Sequence, residues 1–224
     1  MCLSLLFVSR ISLLHYLYPD EIDDELIDTI ANEPKVVKYL DIPIQHINDA
    51  ILRRMNRRGT GAEIEALLTK LREKIPGLVL RTSLIVGLPG EGEAEFEELC
   101  AFLSRARIER AGVFTFSPEE GTPAAEMPDR ADPETAEHRA ELVATLQMGI
   151  MEAYSASRVG QTIEVLCEGY DRLAEYWYGR SAADSPDVDG KVFFPRGAGV
   201  QPGQFVKVRI TDVLDCDLIG ELEL

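Results

Sequence analysis

Between residues 13 and 117, short apolar runs alternate with amphipathic stretches, and this alternation limits the folds open to the chain. "LLHYLY" is strand-like, and Pro19-Asp20 then opens a helix with Ile22, Leu26, Ile27 and Ile30 on one side. "KYLDIPI" is the next strand. Asn48 can cap the short helix "DAILRRMNRR", and Thr60 a longer one that carries Ile64, Leu67, Leu68, Leu71 and Ile75. "LVLRTSLIVG" is apolar almost throughout, as a strand buried on both faces of a parallel sheet must be. A helix over 93–107 and the strand "AGVFTFSP" complete the order βαβαβαβ, which specifies a parallel sheet or (β/α) barrel. A Pro-rich stretch, "SPEEGTPAAEMPDRADP", leads into a long helix over 134–157.

Past Val159 the period changes to two. Ile163, Val165 and Cys167 alternate with polar residues, as do Val206, Val208 and Ile210, and Pro/Gly turns separate the runs. The spacing predicts a small antiparallel β-barrel of OB-fold size. The fold class expected is therefore α/β: a partial (β/α) barrel with its linking helix over 10–157, then a β-barrel over 158–224.

A formal net charge of −16 disfavours a nucleic-acid partner, because phosphate binding is driven by Lys and Arg. Cys2, Cys100, Cys167 and Cys216 lie far apart, and none forms a C-x-x-C or a C-x-x-x-C-x-x-C. Few cysteines and no secretory pattern suggest a reducing cytoplasm, and Cys100 reads as core. The start, "MCLSLLFVSRISLLHYLYPD", is too short in uninterrupted apolar length for a membrane span and reads as a buried strand preceded by a stretch of unassigned meaning.

In parallel (β/α) architectures ligands sit at the C-terminal strand ends. "RTSLIVGLPGE", residues 81–91, ends a strand in Gly87, Pro89 and Gly90. A glycine there lets the backbone approach a bound ring closely, while Glu91, Glu93 and Glu95 suit a helix N-terminus. "GLPGEG" is neither a P-loop nor a dinucleotide fingerprint.

The segments "YLYPDEI", "KYLDIPIQHINDAILRRMNRRGT", "RTSLIVGLPGEGEAEFEEL" and "FTFSPEEGTPAA", in that order, resemble the C-terminal half of the radical S-adenosylmethionine domain of the methylthiotransferases. The tail "GRSAADSPDVDGKVFF…VKVRITDVLDCDLIGE" resembles their TRAM domain. The "DIPIQHIND" wording is similar to the branch that methylthiolates an aspartate of small-subunit ribosomal protein S twelve. The tRNA-modifying branch has a "QSGS"-type sequence where this chain has Gln45-His46-Ile47-Asn48. The resemblance makes strands 38–42, 79–86 and 112–117 walls of an S-adenosylmethionine site. It places Gln45 at a strand mouth, Arg81, Thr82 and Ser83 along the next strand, Ile85 and Gly87 by the adenosine, and Val113 and Phe114 by the adenine.

The family's enzymes also bind two four-iron four-sulfur clusters, each through three cysteines, and neither cysteine set is present here. The chain as given is therefore expected not to catalyse the reaction. His46 at a strand end reads as a hydrogen-bonded structural residue, since His15 and His138 give it no metal-ligand spacing. The cluster Arg53, Arg54, Arg57 and Arg58 reads as a solvated face. From Arg158 onward there are seven Lys/Arg against twelve Asp/Glu, a poor footprint for RNA. That balance suits a basic ribosomal protein, the partner the resemblance implies, met by aspartates 184, 187, 189, 212, 215 and 217. Each of these could equally be a turn former.

An open first strand leaves an unpaired apolar flank. The isolated chain is expected to self-associate in size-exclusion chromatography. A monodisperse monomer that unfolds cooperatively would overturn this.

Overall fold

The computed structural model describes residues 12–197 and 199–223. The chain divides into two compact units, one running to Ile150 and the other from Met151. The stretch "MCLSLLFVSR" lies outside the described residues.

In the first unit, β1 (Ser12–Leu14), β2 (Val36–Asp41), β3 (Val79–Val86) and β4 (Arg110–Thr115) form one sheet in sequence order, every neighbouring pair parallel. Between them run α1 (Asp24–Asn32), α2 (Asp49–Arg54), α3 (Gly61–Lys74) and α4 (Glu93–Ala106). A short α5 (Pro123–Glu126), which the sequence pattern did not disclose, precedes α6 (Pro133–Ala156).

The helix starts are set by side-chain caps. Asp23 accepts from the Leu26 N–H, Asn48 from Ala50 and Ile51, and Thr60 forms a reciprocal capping box with Glu63. Ile27, Ile30, Leu52, Leu68, Leu71, Leu99, Phe102 and Val143 bury the helices against Leu40, Ile42, Leu80, Leu84 and Val86 of the sheet. Cys100, expected in the core, is half-buried against it.

Three strands differ from expectation in their bounds. The first ends at Leu14 rather than running to Tyr18, because Tyr16 takes a left-handed φ of 58° that no strand accommodates. β2 and β4 each lie about two residues earlier than the apolar runs suggested.

In the second unit, β5 (Thr162–Asp171), β6 (Tyr176–Ser181), β7 (Val192–Pro195), β8 (Phe205–Leu214) and β9 (Asp217–Leu222) close a barrel in the order β5-β6-β7-β9-β8. Among the described residues, the pairings are antiparallel except β7–β9, which is parallel because β8 intervenes between them. Ile163, Val165, Cys167, Val192, Phe194, Val208, Ile210 and Leu218 fill it. Alternation set this core correctly, with Val206 only partly buried.

Gly61, the first residue of α3, shows how tightly the first unit is assembled. A Cβ there would lie 2.3 Å from the Ile47 carbonyl oxygen, a backbone atom that cannot swing aside. Its N–H donates to Asp49 Oδ1 at 2.8 Å. Gly61→Ala is expected to destabilise this unit by about 1–3 kcal/mol, as overpacking does. A lowered urea midpoint would show it, and an unchanged one would mean the α2–α3 junction yields freely.

Candidate functional site

Strand register decides which side chains can meet. Asp41, Arg81 and Arg110 are register partners across β2, β3 and β4. Ser83 pairs with Gly112 and Ile85 with Phe114. Successive side chains alternate between faces, so Arg81, Ser83, Ile85 and Phe114 share one face of the sheet. Gly112, which the sequence did not single out, belongs with them. The opposite face carries Leu80, Leu84 and Val86 into the apolar core.

Phe114 is 56% exposed, and the other three are half-buried. Val113 pairs with Leu84 and packs on the helix-side core, so the structure separates it from Phe114. Thr82 is also on the core side. Its hydroxyl donates to the Ile42 carbonyl at 2.9 Å and accepts from the Ile44 N–H at 3.2 Å, tying β2 to β3.

Gln45 follows β2 with a left-handed φ of 68°. Its N–H donates to the Ser83 carbonyl and its carbonyl accepts from Ile85, so its backbone is held against β3 despite that conformation. Gly87, φ 77°, closes β3. The close approach that demands glycine there comes from the protein itself, since a Cβ would lie 2.7 Å from the Ala136 Cβ of α6. Gly87 also borders a cavity of about 610 Å³ at the ends of β3 and β4, whose lining includes Phe116, Met127, Arg130 and Ala136.

Glu91 departs most from the sequence reading. It does not sit in the first turn of α4, which begins at Glu93 after Gly92. Its buried carboxylate accepts the Gly87 N–H at 3.0 Å and the Leu88 N–H at 3.4 Å. Arg139 of α6 donates to the Glu91 carboxylate and to its carbonyl, both at 2.9 Å. Burial raises the Glu91 pKa, opposed by the Gly87 N–H and by Arg139. The sequence signal for it was a glutamate one residue ahead of a glycine N-cap.

His46 is 1% exposed and structural, as expected. Its Nδ1 accepts from the Asn48 N–H at 3.0 Å, which leaves the proton on Nε2, 3.6 Å from Glu91 Oε2. Burial lowers its pKa to about 4, against the pull of Glu95.

The arginine cluster is largely engaged within the protein. Arg53 donates to the Asp49 carbonyl, Arg54 packs over Gly90, Arg57 stacks on Tyr18 and Arg58 faces Asp20. In the barrel, Asp184, Asp189 and Asp217 accept from the backbone of Ser181, Ser185 and Lys191. They build the "SAADSPDVDG" loop, leaving Asp187, Asp212 and Asp215 as the exposed acids of the proposed set.

Among the described residues, no group of three or more His, Cys, Asp or Glu side chains could hold a metal. Cys100 is half-buried in α4, Cys167 is buried in the barrel and Cys216 is exposed in a turn. This donor set does not fit an iron–sulfur cluster. No helix of the described residues is long and apolar enough to cross a membrane.

A parallel sheet with a ligand-sized hollow at its strand ends precedes a closed five-stranded barrel, and each of the two parts is similar to a known domain family. Residues 12–103 match the Radical SAM superfamily and residues 159–222 the TRAM domain. Coproporphyrinogen III oxidase (HemN) from Escherichia coli, a radical SAM enzyme, superposes with a TM-score of 0.52 at 21% identity, over 62% of this chain and 32% of its own. That likeness is one of fold.

In sequence the chain is RimO-like. It is 47% identical over 91% of its length to ribosomal protein uS12 methylthiotransferase RimO of Desulforudis audaxviator, covering 45% of that protein. The corresponding enzyme of Geotalea uraniireducens is 48% identical over 92% of this chain and 46% of its own length. The chain thus spans about half the length of the curated relatives it matches.

The buried imidazole gives stability a defined pH dependence. A folded pKa depressed from 6.5 to about 4 means full stabilisation above pH 6.5, lost as pH falls toward 4. The loss is on the order of 3 kcal/mol. Glu91, with its raised pKa, works in the opposite direction over acid pH. The His46 share is therefore the part of the decline that His46→Gln abolishes. Urea midpoints at pH 7 and pH 4.5 for both proteins measure it, and parallel declines would place His46 outside the linkage.

Proposed function

We propose that this chain supplies the S-adenosylmethionine wall and the TRAM domain of a methylthiotransferase acting on ribosomal protein uS12. The observation that carries the reading is the 47–48% identity to RimO enzymes across nine-tenths of the chain. S-adenosylmethionine, when bound, supplies a methyl group and a radical precursor.

The residues present fit such a group. Ser83 and Gly112 leave a low row on the sheet face, flanked by the apolar Ile85 and Phe114 above and by Arg81 below. Gly87 borders the 610 Å³ hollow, and Gln45 stands at the mouth of β2, outside that hollow's lining. In this reading Ile85 and Phe114 meet the flat apolar part of the ligand, and Ser83 and Arg81 its polar part. Val113 stays within the same wall as the core residue that fixes the Phe114 register. The domain limits, 10–157 and 158–224, and a cytoplasmic site of action belong to the same reading.

The two four-iron four-sulfur clusters of complete family members find no cysteine ligands here, so the chain alone does not transfer the methylthio group. The same lack of cysteine ligands favours a second reading, a non-catalytic module that binds ribosomal protein or RNA. The acidic barrel, through Asp187, Asp212 and Asp215, suits the protein over RNA. A tRNA substrate is the remaining alternative.

Equilibrium dialysis with labelled S-adenosylmethionine tests the first reading. The wild-type chain is expected to retain the ligand. Ile85→Arg, on a half-buried site, is expected to weaken retention by about tenfold or more. Equal retention by both proteins, or none by either, would overturn the assignment of this face.

A further inference from the structure

Beside the sheet face lies a second feature that the cofactor does not need. Two adjoining hollows, of about 240 and 140 Å³, share Tyr18, Pro43 and Arg57. One reaches Asp20, Glu21 and Arg58, and the other reaches Tyr16 and Gln45. Together they make a groove that ends at the mouth of β2, where Gln45 marks the candidate site.

Three non-glycine residues along this groove hold left-handed backbone: Tyr16 at φ 58°, Gln45 at 68° and Asn56 at 53°. Such conformations cost of order 1 kcal/mol each and gather at binding sites, where the surroundings enforce them. One of them, Tyr16, is itself an exposed aromatic, and Tyr18 two residues on is another, in extended backbone. Tyr16 is 76% and Tyr18 53% exposed, a large aromatic area for surface residues.

We propose that this groove docks an extended segment of the substrate polypeptide and leads it to the strand mouth at Gln45. The inference rests on the uS12 reading above. Exposed tyrosine beside stacked arginine is the composition that dominates binding energy at protein–protein contacts. The charges favour a polypeptide over a nucleic acid. Asp20 and Glu21 balance Arg57 and Arg58 in the lining, so the groove offers a polyanion no net attraction. The chain's net charge of −16 suits the Lys and Arg side chains of a basic ribosomal protein. The open tyrosine faces suit those same cations.

Fluorescence anisotropy with labelled, purified uS12 tests this on the full chain. Tyr16→Ser lies on an exposed position and is expected to leave the urea midpoint unchanged; Tyr18→Ala also removes the Arg57 stack, so its urea midpoint is measured alongside. Each is expected to weaken uS12 binding by about fivefold or more. Leu173→Ser, exposed on the barrel and outside both proposed contact sets, serves as the comparison and is expected to bind as the wild-type chain does. Binding of uS12 that ignores both tyrosine variants would overturn the groove and leave the uS12 reading intact. No measurable uS12 binding by the wild-type chain would overturn the uS12 reading, and the groove's assignment with it. A labelled oligouridylate that binds and is lost with Tyr18→Ala would replace the polypeptide with RNA as the occupant.

Discussion

A carboxylate buried beneath a turn is expensive unless every lone pair that faces inward finds a donor. Glu91 meets that condition with two backbone N–H groups of its own turn and the guanidinium of Arg139. The arrangement joins three pieces of chain that are far apart in sequence. The turn after β3 is held in shape, α6 is drawn onto the sheet end, and the residue after Gln45 packs its neutral imidazole against the same carboxylate. With α6 in that position, Ala136 sits where a Gly87 side chain would be. Glycine at 87 is thus required twice, by its left-handed φ and by the closeness of Ala136 on α6. The hollow that Gly87 borders is itself walled by α6, through Pro133, Ala136 and Glu137.

The order of strands and helices was legible because each apolar run is bounded by caps and turns that act locally. Thr60 with Glu63 and Asn48 with its two amides need no tertiary context to start a helix. The phase of a buried strand is different. In β3 and β4 both faces are partly apolar, so alternation does not reveal which residues look toward helices and which toward a ligand. Register alone put Val113 with Leu84 on the core side and Phe114 with Ile85 on the other. Glu91 was misjudged for a related reason. Three glutamates in alternate positions look alike in sequence, and only the placement of Arg139, 48 residues on, selects the one that turns inward.

The barrel gives a parallel lesson about charge. Its net of −5 is a property of the chain, whereas recognition depends on which carboxylates face solvent. Asp184 is buried and bonded to the Ser181 N–H and hydroxyl, and Asp189 and Asp217 each fix a backbone amide. The aspartates that make the loop most recognisable in sequence are those least able to meet a partner, since their oxygens are committed to holding it. Asp212 and Asp215, on the β8–β9 hairpin, carry no such duty to the loop.

The same separation of duties governs the sheet's carboxyl end. A parallel strand must leave the sheet there, and its last residues can be turned outward only where the backbone beyond the strand is still held. At Gln45 that hold is a pair of hydrogen bonds to Ser83 and Ile85, continuing the β2–β3 pairing beyond β2 itself. At Tyr18 it is Arg57, stacked from the turn after α2, with the Leu17 N–H bonded to the Asp41 carbonyl. The sheet face proposed for the cofactor and the proposed tyrosine groove share one strand, β2, as their common border. A shift of its end would move Gln45 relative to both. Because β2 is fixed to β3 through the Thr82 hydroxyl, whose partners are the carbonyl of Ile42 and the N–H of Ile44, the border is set by a buried residue that touches neither site.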